Sequence, residues 1–324
     1  SRIAFFSDRD GRREIYVMNV AGEPGLARLT DDDASEFSPA WSPDGSRIAF
    51  SASRDGVSEI YVMDSDGTGG VTRLTNKLLS DGDPAWSPDG TRIAFVSSRD
   101  GNDEIYVMSA DGSDVTRLTE APAPDGEPIW SPDSTRIAFV SSRDGFSQIY
   151  VINADGSDLT RLTSDPGRPF ALSWSPDGTR IAFGSSLFTG SDISVVNVDG
   201  SGQTRLRFRR VSNGFPTWSP DGSRIAFYAS EEGKFDIYLM NSDGSDVIRL
   251  TEDSEVDRNP VWSPDGSRIA FESNRDGKRE IYVMNPDGSD VTRLTDSGGV
   301  NKNPTWSADG ARIAFQSDRD GNLE

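Results

Sequence analysis

Residues 84–119 read PAWSPDGTRIAFVSSRDGNDEIYVMSADGSDVTRLT. Four short strand candidates stand in this stretch, each closed by turn residues. The first ends at Trp86, in DPAW (83–86), and is followed by a Pro-Asp-Gly turn. The second is RIAFVS (92–97), where Ile93 and Phe95 share one face in period two. SRDG supplies a hairpin-type Asp-Gly turn, and the β-branched, aromatic EIYVM (104–108) makes the third strand. ADGSD turns the chain into the fourth, VTRLT (115–119).

The same text recurs along the whole chain. Trp41, Trp86, Trp130, Trp174, Trp218, Trp262 and Trp306 are spaced by 45 and then five times by 44 residues. Four antiparallel strands per repeat of this length are the mark of a propeller blade. One four-stranded sheet cannot bury both apolar faces alone, and radial stacking of blades does so. The expectation is one all-β domain over residues 1–324, a seven-bladed β-propeller of four-stranded antiparallel blades. Residues 1–14, SRIAFFSDRDGRRE, match residues 311–324, ARIAFQSDRDGNLE. A composite blade built from both termini would close the ring. RIAF occurs eight times against seven Trp strands, so one second strand is surplus. A monomer is expected, with strand exchange into a dimer as the alternative that an unpaired edge invites.

The pattern P-x-W-S-P-D-G-x-R-I-A-F-x-S-x-R-D-G-x-x-E-I-Y-x-M resembles the TolB-type propeller repeat over the entire chain. That resemblance implies a seven-bladed binding scaffold, with protein or peptide partners docking over a central mouth where cations also sit. It also implies a periplasmic or extracellular location, although no signal peptide is visible. The family's separate N-terminal domain has no counterpart in this sequence. The fold is therefore transferable and the detailed function is not.

Composition narrows the chemistry. The formal net charge is −20, which repels phosphate backbones and argues against nucleic-acid binding. No apolar run is long enough for membrane insertion. There is no Cys and no His, so Ser-His and Cys-His nucleophiles and thiolate or imidazole metal sites are excluded.

Two positions in the repeat stand out. Five residues before Trp are Glu36, Asp81, Asp125, Pro169, Asn213, Asp257 and Asn301. Three residues before Trp are Ser38, Asp83, Glu127, Ala171, Phe215, Asn259 and Asn303. Both sets begin inner strands, and two-residue spacing puts them on one side of the strand, ringing the channel mouth. Such oxygens would suit Ca²⁺, with Asp81, Asp125 and Asp257 as the metal candidates, though no cofactor is required. A hydrated polar channel explains the same residues without a ligand. The Arg and Asp of SRDG read as turn chemistry and solvated charge.

Residues 164–216 depart from the repeat. They place Arg168, Phe170, Leu187, Phe188, Arg207, Phe208, Arg209 and Arg210 in irregular connections, a basic and aromatic composition that fits a partner surface. Three functions remain open: a non-enzymatic scaffold for a peptide, protein or cation; a structural module with no ligand; and a glycan-active enzyme using Asp81, Asp83, Asp125 and Glu127 as paired carboxylates.

Overall fold

Alternating side chains decide how the strands pack. In the computed structural model the turn signals sit where the sequence places them. Ser87 Oγ donates to Asp89 Oδ1 at 2.6 Å, Asp89 Oδ1 accepts the Thr91 N–H at 3.0 Å, and Gly90 takes a left-handed φ of 72°. The same Asx-type closure recurs at Asp111, which accepts the Ser113 N–H at 2.9 Å. The structure describes residues 2–7, 14–19, 26–30, 34–54, 56–77, 79–187, 190–206, 212–231, 233–252, 255–296, 300–306, 310 and 313–317.

The chain forms two units, Arg2–Asp165 and Pro166–Glu324. The first holds a three-stranded sheet (Arg2–Ser7, Glu14–Asn19, Leu26–Arg28) and three four-stranded antiparallel blades spanning 35–73, 81–117 and 125–161. The second holds three four-stranded blades spanning 168–206, 213–249 and 257–293, and a two-stranded sheet of Asn301–Trp306 with Ile313–Ser317. All described regular structure is β-strand. In each of these two terminal sheets the RIAF strand pairs with its chain neighbour, Arg2–Ser7 with Glu14–Asn19 and Ile313–Ser317 with Asn301–Trp306.

Within each unit, one face of a blade carries large side chains and the other small ones. Trp86, Ile93, Phe95, Tyr106 and Met108 pack against Ala49, Ile60 and Val62 of the preceding blade. Trp130, Ile137, Phe139, Tyr150 and Ile152 repeat this on Ala94, Ile105 and Val107. In the second unit Trp218, Ile225, Phe227, Tyr238 and Met240 do so on Ala182, Ile193 and Val195. This large-on-small interface is the direct outcome of period two.

The repeated Trp staples neighbouring blades. Trp130 Nε1 donates to the Ala85 carbonyl at 3.0 Å, and the Arg92 guanidinium lies 4.8 Å from the centre of its ring. Trp218 makes the same pair of contacts with Ser173 O and Arg180. W-S-P-D-G and R-I-A-F are therefore stability text.

Candidate functional site

The first strand of every blade carries a β-bulge just before the Trp. In the 81–117 blade the register runs Asp81↔Ser97, Gly82↔Val96 and then jumps to Ala85↔Ala94. The residue three before Trp lies in that bulge. Ser38, Asp83, Glu127, Ala171, Phe215, Asn259 and Asn303 all take left-handed φ values of 50–56°. Asn and Asp tolerate this region best, so much of the polar text at this position answers a backbone requirement.

The bulge overturns the expectation that the two sets share one side of the strand, because an inserted residue breaks the period. The residue five before Trp is buried: Glu36 0%, Asp81 1%, Asp125 2%, Asn213 1%, Asp257 0% and Asn301 0% exposed. The residue three before Trp is exposed or half-buried throughout. Neighbouring bulge residues do meet in places. Ser38 Oγ donates to Asp83 Oδ1 at 3.1 Å, and Asn259 Nδ2 donates to Asn303 Oδ1 at 3.1 Å.

The buried acids are held by the SRDG arginines. Arg99 donates to Asp81 Oδ2 at 2.8 Å, Arg143 to Asp125 Oδ2 at 2.5 Å and Arg275 to Asp257 Oδ2 at 3.0 Å. Each guanidinium also lies over the Phe and Tyr rings of its own blade, as Arg99 does over Tyr106 at 4.7 Å. These arginines are ion-paired to buried acids and not free in solvent, a correction to the reading of SRDG. The Asp of SRDG accepts a tyrosine hydroxyl, Tyr150 donating to Asp144 at 2.5 Å. Burial, reinforced by that carboxylate, pushes the Tyr150 hydroxyl up to about 12. Burial likewise raises Asp81 and Asp125, against the pull of serine, threonine and arginine partners. Among the described residues, no three His, Cys, Asp or Glu side chains come together as a metal site.

One region breaks the pattern with aromatic side chains. Phe170 meets Phe215 edge-on, ring centres 6.3 Å apart. Phe215 stacks on Tyr228 at 5.8 Å, and Tyr228 meets Phe235 edge-on at 5.6 Å. The Arg258 guanidinium caps the run, 3.9 Å from the Phe235 ring centre. This run crosses the three blades at 168–206, 213–249 and 257–293, all in one unit.

Two glycines make the run fit. The residue four before Trp pairs across the ladder with one on the second strand, as Gly82↔Val96 shows. Here the pairs are Phe170↔Gly184 and Gly214↔Tyr228. A Cβ on Gly184 would sit 2.4 Å from the Phe170 ring, and one on Gly214 would sit 2.6 Å from the Tyr228 hydroxyl. The tip of each ring occupies the space that a Cβ on its partner glycine would fill.

Of the expected partner patch, Arg168 is exposed at the start of its strand and Phe170 joins the aromatic run. The Leu187 side chain, Phe188, Arg207, Phe208, Arg209 and Arg210 lie outside the described residues. Sequence reading missed Tyr228, Phe235 and Arg258. Tyr228 and Arg258 stand at repeat positions that vary from copy to copy, and the one available signal was Phe235, the single aromatic residue at its position.

The TolB beta propeller domain model matches residues 1–80, 74–206 and 168–324. The chain belongs to that family. This TolB-family propeller resembles the crystal structure of TolB from Acinetobacter baumannii at 26% identity and TM-score 0.53, covering 76% of this chain and 63% of that one. It also resembles a TolB structure from Agrobacterium tumefaciens at 22% identity and TM-score 0.52, over 97% and 99% of the two chains. An oligogalacturonate lyase in complex with manganese matches at 17% identity and TM-score 0.69, over 100% and 96%, which shows shared fold alone. No curated protein sequence matches the propeller significantly. Among the described residues no helix is long and apolar enough to cross a membrane.

Proposed function

We propose that this TolB-family propeller is a non-enzymatic binding module, seven-bladed and closed by its terminal strands, that docks a peptide or protein partner outside the cytoplasm. Its recognition surface is the run Phe170, Phe215, Tyr228, Phe235 and Arg258. Phe215 carries the reading. It is 48% exposed and sits at a φ of 51°, where the other repeats hold Ser, Asp, Glu, Ala or Asn. A bulky side chain in the left-handed region costs ~1–2 kcal/mol. Holding it there, half in solvent, supports a role in contact rather than in folding. Rigid aromatic rings beside one arginine are the composition of a binding hot spot.

The test is selection of peptides from a display library on the intact chain. Enriched peptides should bind the parent chain and lose at least tenfold in affinity to Phe215→Ser. Equal binding by the variant, or no enrichment at all, would leave the second reading in place: a structural propeller module with no ligand of its own. That reading is favoured by the regularity of the repeats, whose shared text is fully used in turns, staples and blade interfaces.

A further inference from the structure

At several blade junctions within a unit, a side chain from the start of one blade's third strand lies beside the residue five before the next blade's Trp. Among the described side chains of the first unit, two such junctions pair carboxylic acids: Glu59 with Asp81, and Glu104 with Asp125. All four are at most 2% exposed. Thr75 Oγ1 donates to Glu59 Oε2 at 2.5 Å, and Thr119 Oγ1 donates to Glu104 Oε2 at 2.6 Å. The Asp carboxyl also lies within hydrogen-bond reach of that threonine, and Asp125 within reach of Glu104. A single hydroxyl proton cannot serve two anions.

The Asp Oδ2 atoms are satisfied by Arg99 and Arg143. The Oδ1 atoms of Asp81 and Asp125 are sealed from solvent and have no hydrogen-bond partner. Two buried carboxylates that share one threonine out of water would be strongly unfavourable, and one shared proton removes the conflict.

A sister junction in the second unit shows where such a proton would go. There the pair is Glu280 and Asn301. Asn301 Nδ2 donates to Glu280 Oε2 and to Thr295 Oγ1, the latter at 3.3 Å. That amide N–H₂ meets the equivalents of Glu104 and Thr119. Asn is the neutral isostere of protonated Asp, and it delivers a donor along the line on which Oδ1 of Asp125 is unpartnered. Gln148, which stands where Glu59 and Glu104 do, makes their threonine contact as an amide, its Oε1 accepting from Thr163 at 2.7 Å.

We propose that the Glu59/Asp81 and Glu104/Asp125 pairs each hold one proton at neutral pH, carried on Asp Oδ1 and donated to the glutamate and threonine of the preceding blade, forming a pH-responsive latch between blades. The charged groups facing the first pair are Arg73, on Glu59, and Arg99, on Asp81. Those facing the second are Arg117, on Glu104, and Arg143, on Asp125. The cations favour the charged forms, and burial outweighs them at the aspartates. Burial pushes Glu104 up, but the Ala121 N–H, Thr119 and Asn102 donate to it and, with the neighbouring Asp125 carboxyl, hold it below the ordinary value. The sign follows. An acid whose folded-state pKa is raised contributes stability that is complete below the ordinary carboxyl range and is lost as pH rises through the folded value.

The experiment is carbon NMR of the full chain labelled at the aspartate side-chain carboxyl. Signals are assigned by their disappearance in Asp81→Asn and Asp125→Asn, substitutions that the natural Asn213 and Asn301 show the position accepts. The expected result is that both assigned signals stand at the protonated position at pH 7. Signals at the carboxylate position at pH 7 would overturn the proposal. Should a variant fail to fold, proton release on denaturing the parent chain at pH 7 decides it: two or more protons released supports the latch, and none refutes it.

Discussion

At the residue scale, the informative positions are those where backbone demand and side-chain identity disagree. Every bulge residue three before Trp has a left-handed φ, and Asp83, Asn259 and Asn303 suit it. Phe215 does not. Its strain is offset by stacking on Tyr228 and an edge-on contact with Phe170, worth ~0.5–1.5 kcal/mol per ring pair. Phe215→Ser should therefore leave stability within about 1 kcal/mol of the parent in denaturant unfolding while removing partner binding. The opposite balance holds at Arg99, whose side chain is 10% exposed and pairs with an Asp81 side chain sealed from solvent. Arg99→Ala leaves the buried Asp81 Oδ2 without its donor and should cost about 1–3 kcal/mol, read from the shift in denaturation midpoint. A loss below about 1 kcal/mol would show that the ion pair is not what holds the inner strand.

At the element scale, the strands and turns of every blade were legible in the sequence, because Pro-Asp-Gly and Asp-Gly turns and period-two alternation are local signals. The bulge was not. Nothing in D-G-D-P-A-W distinguishes an unbroken edge strand from one with an inserted residue, and period two was carried straight through it. The burial of Asp81, Asp125 and Asp257 was hidden for the same reason, and with it the role of the SRDG arginines. The aromatic run was hidden by distance, since Phe170, Phe215, Tyr228, Phe235 and Arg258 come from five strands. The ladder pairing of large residues with glycine gives a direct check. Gly184→Val adds a Cβ where the Phe170 ring lies, at a position where the 81–117 and 125–161 blades carry Val96 and Val140. The ring must leave its seat, so the variant should fold, lose the Phe170–Phe215 contact in aromatic NMR, and bind selected peptides more weakly. Unchanged binding would remove Phe170 from the recognition surface.

At the scale of the whole molecule, the net charge of −20 and the repeated large-on-small packing act against each other. Like charges destabilise a folded chain through self-repulsion, and salt screens them. The thermal midpoint should rise between 10 mM and 150 mM NaCl, and a fall would mean that buried pairs such as Arg143–Asp125 are less shielded than their burial indicates. Most of the repeated sequence is consumed by the fold: tryptophans staple blades, glycines turn them, and SRDG ties acid to arginine. Function is left to the places where the copies differ, and the largest cluster of differences among the described residues is the aromatic run.

Amide hydrogen exchange of the intact chain, with and without a display-selected peptide, tests that assignment most directly. Protection gained on binding should concentrate in 168–174, 213–218, 224–231 and 234–241, the strands that present Phe170, Phe215, Tyr228 and Phe235. Protection confined to 81–86 and 125–130, with those strands unchanged, would contradict it and return the recognition site to the acidic bulges at Asp83 and Glu127.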